Sequence, residues 1–299
     1  MKKEEIKSYE NGIFLPVFEA FERNTFELNE YLKKSGKEIF FQMEENFILN
    51  AKAQLKDNHY CITLYSGMIP IVLEILSEHI EFFLSNHPEI KDKETFAGLG
   101  AVTIWHHIYG HEMGHILRGH LWLTKTGTIK LIDENTIFSG TYKNNNRNLT
   151  KSDMLQTMEL DADIFSSYFV AKLLLNILKT QKDNIPEAKV ILSITISSLY
   201  LFFDHLAKIP LVKTNYPPAM VRLNVLQHNT IKHLSGKTIF SDAELADLMH
   251  EASFNAFSYL VDCNKLNTSL HKNNLDELSK IENELIIKHR VFENILSVL

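Results

Sequence analysis

Residues 111–115 read His-Glu-Met-Gly-His, within the run IWHHIYGHEMGHILRGHLWL from Ile104 to Leu123. On an α-helix, residues four apart share a face and stand about one turn apart. His111 and His115 therefore aim two imidazoles at one point, where a single metal ion fits between them. Glu112 flanks that face and is placed to take a proton from a water held there. This pattern constrains the fold more than any other stretch: the segment must be helical, largely enclosed, and met by a second element carrying a further ligand. Zinc suits the chemistry, because it lowers the pKa of its water toward about 7, polarises a carbonyl and brings no redox reactions. One Zn2+ per chain is expected.

Two histidines leave such a site one protein ligand short, since a catalytic zinc uses three and keeps a further position open. The segment MELDADIFSSYF supplies a carboxylate pair, Glu159 and Asp163, again four apart on one helical face. Glu159 completes a His2Glu set. Asp163 reaches the outer nitrogen of a ligand histidine, fixing its tautomer and raising its basicity. Asp161 points away from that face and is expected to be a solvated or capping acid.

In order along the chain, HEMGH with His120 five positions on, ELDAD, and NYPPAMVRL resemble a known series. It is the His-Glu-x-x-His, Glu-x-x-Ala-Asp and His-Pro-x-x-x-x-Arg set of the HtpX and CAAX-protease type of gluzincin metallopeptidase. The phage-exclusion peptidase Lit shows a similar set. NAKA at 50–53 and ITLYSGMI at 62–69 are also similar to that family's strand and turn, so the resemblance spans roughly residues 46–226. It implies a zinc metalloendopeptidase with His111, His115 and Glu159 as ligands, Glu112 as general base and Asp163 as supporting carboxylate. Without expected membrane spans, the soluble branch near Lit is favoured, and with it a place in antiviral defence. One position departs from the pattern: Tyr216 stands where the family has histidine. Its hydroxyl is either an oxyanion donor or part of a core or rim tyrosine. Arg222 is either near the reacting groups or structural, pairing with Asp163 or Asp161. His120 matches a histidine that the family also places just beyond the metal-binding face, and His107, one turn before His111, is its counterpart on the other side; both are candidates to support the ligands. His106 faces elsewhere.

The alternative function is a metal-binding regulatory or latent module that waits for an activating partner. Glu112 argues against a purely structural metal. The polar stretch 124–153, with a hairpin at TIKLI, sits between the two ligand helices and is long enough to cover a cleft.

Around this centre the chain reads as α+β and mostly helical. A small N-terminal antiparallel sheet, from strands at 38–43, 46–55 and 59–65, is expected to pack on a helical core, gluzincin-like by the resemblance, with the metal between two helices. Helices are expected at 70–84, 96–123, 152–179 (capped by Ser152 or Asp153) and 186–207. Residues 1–235 form the catalytic domain and 236–299 a helical extension packed on it. That extension opens with a capping box at Ser241–Glu244 and closes with an apolar stripe including Leu285 and Phe292.

Composition narrows the partners. A net charge of −6 with interleaved signs leaves no basic footprint for nucleic acid or an anionic membrane. That leaves a protein or small-molecule partner, and the peptidase resemblance implies a protein or peptide substrate. The charged start MKKEEIKSYE does not read as a secretory signal, and the apolar run 190–203 falls short of the length expected of a membrane span, so a cytoplasmic protein is expected. Two cysteines, Cys61 and Cys263, are too few for a disulfide framework and are expected to be reduced core residues.

Overall fold

The computed structural model describes residues 5–6, 12–33, 36–56, 59–90, 92–125, 149, 151–181, 184–208, 217–263 and 275–296. Residues 126–148 of the expected polar loop, its hairpin included, and Tyr216 lie outside the described residues. The elements follow as α1 (Phe14–Leu32), β1 (Ile39–Glu44), β2 (Ala51–Lys56), β3 (His59–Tyr65), α2 (Met68–Ser77), α3 (Ile80–Asn86) and α4 (Lys93–Leu117). The second half continues with α5 (His120–Lys125), α6 (Lys151–Leu178), α7 (Ile185–Lys208), α8 (Ala219–Leu234), α9 (Asp242–Asp262) and α10 (Leu275–Leu296). The chain is mostly helical, with one small sheet.

That sheet is mixed, which corrects the expected antiparallel arrangement. Its order is β1-β3-β2: β3 pairs with β1 in parallel, Ile39 opposite Tyr60, and with β2 antiparallel, Ala51 opposite Leu64. Residues 45–50 therefore arch across the end of β3 instead of turning back as a hairpin. The arch is tied down by Gly67 N–H donating to Asn46 O at 2.8 Å and by Ser66, whose hydroxyl donates to Asn46 O and accepts from Asn46 N–H. A Cβ at Gly67 would lie 2.4 Å from the carbonyl carbon of Phe47, so only glycine lets the arch pass. The crossing leaves β2 outermost.

Helix α4 is the spine. Asp92 caps it, accepting from Glu94 N–H, and Gly119 ends it with φ at +79°. The expected continuous helix 96–123 is therefore broken into α4 and α5, because a left-handed glycine cannot extend a right-handed helix. The expected helix 70–84 likewise divides into α2 and α3 at Glu78–His79. Helix α6 starts at Lys151, which puts Asp153 inside its first turn, where it pairs with Lys288 of α10 at 2.6 Å.

Helix α7 is central, with residues from Ala188 to Asp204 largely buried. It is long and apolar enough to cross a membrane, and 72% of its apolar window is covered by the rest of the fold. Leu245, Met249, Ala252, Ala256 and Leu260 of α9 belong to the same apolar core, and the capping box at Ser241 and Glu244 is present. Leu285 and Phe292 of α10 are buried in two smaller clusters beside α6. Cys61 is half-buried and Cys263 exposed, so the latter is not the core residue expected.

Candidate metal centre

Helices α4 and α6 lie against one another so closely that two glycines set the distance. A Cβ at Gly110 would meet Phe169 Cδ2 at 2.8 Å and Ser166 Cα at 3.0 Å; one at Gly114 would meet Ala162 Cα at 3.0 Å. These glycines sit four apart, immediately before His111 and His115. Their absent side chains let the ligand helix approach the backbone of the carboxylate helix.

Three donor groups converge in the seam. His111 Nε2 and His115 Nε2 are 3.1 Å apart, and Glu159 places Oε2 3.2 Å from the first and Oε1 3.7 Å from the second. Bonds of about 2.0–2.2 Å at tetrahedral angles put ligand atoms about 3.3–3.6 Å apart, so this triangle has the size a metal ion requires. The outer nitrogens are already engaged. His111 Nδ1 donates to Asp163 Oδ1 at 2.8 Å, which keeps the Nε2 lone pair pointing into the triangle. Asp163 in turn accepts from Arg222 of α8, Nε to Oδ2 at 2.6 Å and Nη2 to Oδ1 at 2.9 Å. The alternative pairing of Arg222 with Asp161 does not occur.

His115 is supported differently. Its Nδ1 lies 2.9 Å from His120 Nδ1, and His120 Nε2 lies 2.9 Å from Asp161 Oδ2. One proton order satisfies the whole row: His115 Nδ1–H donates to His120 Nδ1, and His120 Nε2–H donates to Asp161. Asp161 is thus no solvated acid, and this corrects the sequence expectation. It is 1% exposed and accepts from Arg118 (2.8 and 3.0 Å), His120 and His289 (2.7 Å). The face of α6 opposite Glu159 is not solvent, because α5 and α10 cover it. Asp161, His289 and Glu293 also have donor spacing compatible with a cation. Arg118 already bridges Asp161 and Glu293 there with its positive charge.

The electrostatics favour a cation at the triangle. Three carboxylates, Glu112, Glu159 and Asp163, surround the histidine pair against one guanidinium, Arg222. Burial opposes charge on His111, but Asp163 and Glu159 outweigh it and raise its pKa to about 10. Burial and His111 push His115 down to about 3. Burial also opposes ionisation of Asp163, yet Arg222 and His111 hold it well below the usual carboxylate range. Glu159 and Asp163 outnumber Arg222, and the proton held on His111 balances the surplus; a divalent cation can take the place of that proton.

Glu112 stands beside the triangle. Burial pushes its pKa up to about 7, against the opposing pull of His111 and of the nearby Ala53 backbone of β2. The groups open into a cavity of about 840 Å³, walled by the arch Phe47–Asn50, by Ala51–Ala53 of β2, and by Ile71, Ile108, Leu121, Phe202, His205 and Leu206. His107 lies in the same wall. Its Nδ1 is 2.9 Å from Ser166 Oγ and its Nε2 4.0 Å from Asp163 Oδ1, and burial lowers its pKa to about 3. It is a neutral neighbour of Asp163 and no part of the donor triangle. His106 faces outward from the site, donating to Val102 O at 2.8 Å and packing edge-on against Phe21.

Sequence reasoning passed over Gly110, Gly114, Arg118 and His289. The first two carry a signal, Gly-x-x-x-Gly interleaved with His-x-x-x-His; the last two carry none that one helix reveals. Set against family models, curated proteins and solved structures, the chain matches none of them.

Proposed function

We propose that the chain is a zinc-dependent metalloendopeptidase of gluzincin-like construction, with His111, His115 and Glu159 holding the metal. The observation that carries the reading is the donor triangle of 3.1–3.7 Å lying beside Glu112 in a sizeable cavity. A structural zinc has no use for an adjacent carboxylate base or for an open side. When bound, zinc polarises a peptide carbonyl and makes a water acidic near neutral pH.

The chain's own residues do the rest. Glu112 takes a proton from the attacking water and returns it to the leaving amine. Its raised pKa suits both roles near pH 7. Asp163, gripped by Arg222, keeps His111 in one tautomer and one orientation. The outermost strand β2 lines the cavity, so an extended peptide can pair its main chain with Ala51–Ala53, and apolar side chains can enter between Ile71, Ile108 and Phe202. The motif order shared with HtpX, CAAX and Lit peptidases supports the same chemistry. A Lit-like role in antiviral defence, exercised in the cytoplasm on a protein substrate, is the biological form of this proposal.

The test compares wild type with Glu112→Gln on a whole proteome, reading new protein termini alongside zinc content. The proposal requires termini that appear with wild type and are missing with Glu112→Gln at equal zinc. Identical termini from the two proteins end it.

A further inference from the structure

We propose that the C-terminal helix α10 is part of the metal-binding apparatus, with His289 a positioning residue that acts on His115 through Asp161 and His120. The inference rests on the metal centre proposed above and extends it to a helix that contributes no ligand.

The row is continuous. His289 Nε2 lies 2.7 Å from Asp161 Oδ1, Asp161 Oδ2 lies 2.9 Å from His120 Nε2, and His120 Nδ1 lies 2.9 Å from His115 Nδ1. His120, Asp161 and His289 are all buried. In such surroundings a hydrogen bond is directional and a missing one is costly. Asp161 must point Oδ2 at His120, so that His120 offers a lone pair, and not a proton, to His115. Arg118 supplies charge from the solvent side at Nε and Nη2. His289 supplies the bond to Oδ1 from within the fold. Without it Oδ1 keeps only Arg118 Nη2, from a half-buried side chain, and His120 becomes the carboxylate's one donor from within the fold. The tautomer of His120 that holds His115 Nδ1 protonated and His115 Nε2 open to metal is then less firmly enforced.

The contrast with His111 sharpens the point. His111 is fixed by Asp163 directly, and Asp163 by Arg222. His115 is fixed by a neutral imidazole, which is a weaker and reversible restraint, and the element at the far end of that restraint is α10. Metal affinity therefore depends on whether α10 is docked.

The experiment measures zinc dissociation constants by chelator competition for wild type, His289→Ala, His289→Gln, His120→Ala and the double variant His120→Ala/His289→Ala. Circular dichroism of each chelated protein checks the fold. Loss of a partner behind a ligand weakens metal binding about 10–100-fold. That range is expected for His120→Ala, and a loss of at least about fivefold for His289→Ala. His289→Gln, whose amide can still donate to Asp161, should bind within about twofold of wild type. The decisive reading is the double variant: if His289 acts through His120, adding His289→Ala to His120→Ala changes affinity little. A folded His289→Ala that binds zinc as wild type does, or two losses that simply multiply, overturns the relay. If His289→Ala does not fold, His289→Leu replaces it and the same two outcomes apply. A wild type that takes up no zinc overturns the metal centre and the relay together, whereas a zinc-binding protein without proteolysis leaves the relay standing.

Discussion

Arg222 grips Asp163 through two N–H···O bonds, at 2.6 and 2.9 Å, and the pair lies buried directly behind His111. Removing the guanidinium leaves a fully buried carboxylate without its main compensation. Arg222→Met, which keeps the length of the side chain, is expected to lower stability by about 3–5 kcal/mol. Arg222→Lys should recover only part of this, since one ammonium cannot serve both oxygens in the same plane. Urea unfolding of the chelated proteins measures both. A loss below about 1 kcal/mol for Arg222→Met would mean that Asp163 is not held as the structure indicates.

Glu112→Gln should reduce turnover by about 10²–10⁴-fold while zinc content stays at one per chain. Chelation should abolish wild-type cleavage, and added zinc should restore it. Zinc content and initial rates on one cleaved substrate decide the matter, and a fully active Glu112→Gln would exclude Glu112 as the base.

Gly114→Ala inverts an ordinary expectation. In an exposed helix that change stabilises by about 1 kcal/mol. Here the new Cβ meets Ala162 Cα at 3.0 Å and Phe165 Cβ at 3.1 Å, so α4 and α6 must move apart. We expect a loss of about 1–3 kcal/mol and weaker zinc binding, because Glu159 recedes from the histidines as the helices separate. Thermal unfolding and chelator competition on one protein test both halves, and a stabilised variant would contradict the close seam.

The pH dependence of stability follows from the buried histidines. Burial lowers His106 to about 4. Between that value and about 6.5, the unfolded chain binds a proton at this residue that the folded one refuses, so stability falls as pH drops through this window. His107 and His115, at about 3, act in the same direction. His111, raised to about 10, is protonated in both states there and adds nothing; its contribution is instead lost as pH rises above about 6.5 toward 10. His106→Gln should reduce the slope of unfolding free energy against pH between 6.5 and 4 by up to about 1.4 kcal/mol per unit. Denaturant titrations of chelated protein at five pH values measure it, and an unchanged slope would show that His106 titrates normally.

The convergence of the donor groups was legible because its logic is local: one period places His111 with His115 and the same period places Glu159 with Asp163. Asp161 was misread for the same reason. A helical wheel assigns a residue to the far side of one helix, but α6 has partners on both sides, and the far side belongs to Arg118, His120 and His289. The sheet failed through topology. Local pattern marks the three strands without saying that β3 inserts between the other two, and the clue, Gly67 under the arch, acquires meaning only when the arch is seen. The break at Gly119 was hidden by periodicity that resumes immediately in α5.

The placement of His289 also sets a clock on the making of the protein. Asp161 and His289 are 128 residues apart. At about 5–20 residues per second, a ribosome delivers the second roughly 6–26 s after the first. Until then a carboxylate destined for the interior has only Arg118 and His120 to face, and α6 lacks one of the helices that will enclose it. A nascent chain can bring the His-Glu-x-x-His helix together with Glu159 during this interval, but the support behind His115 is finished only when α10 arrives. Newly made protein thus passes through a stage in which the donor groups are present and the second histidine is still loosely held.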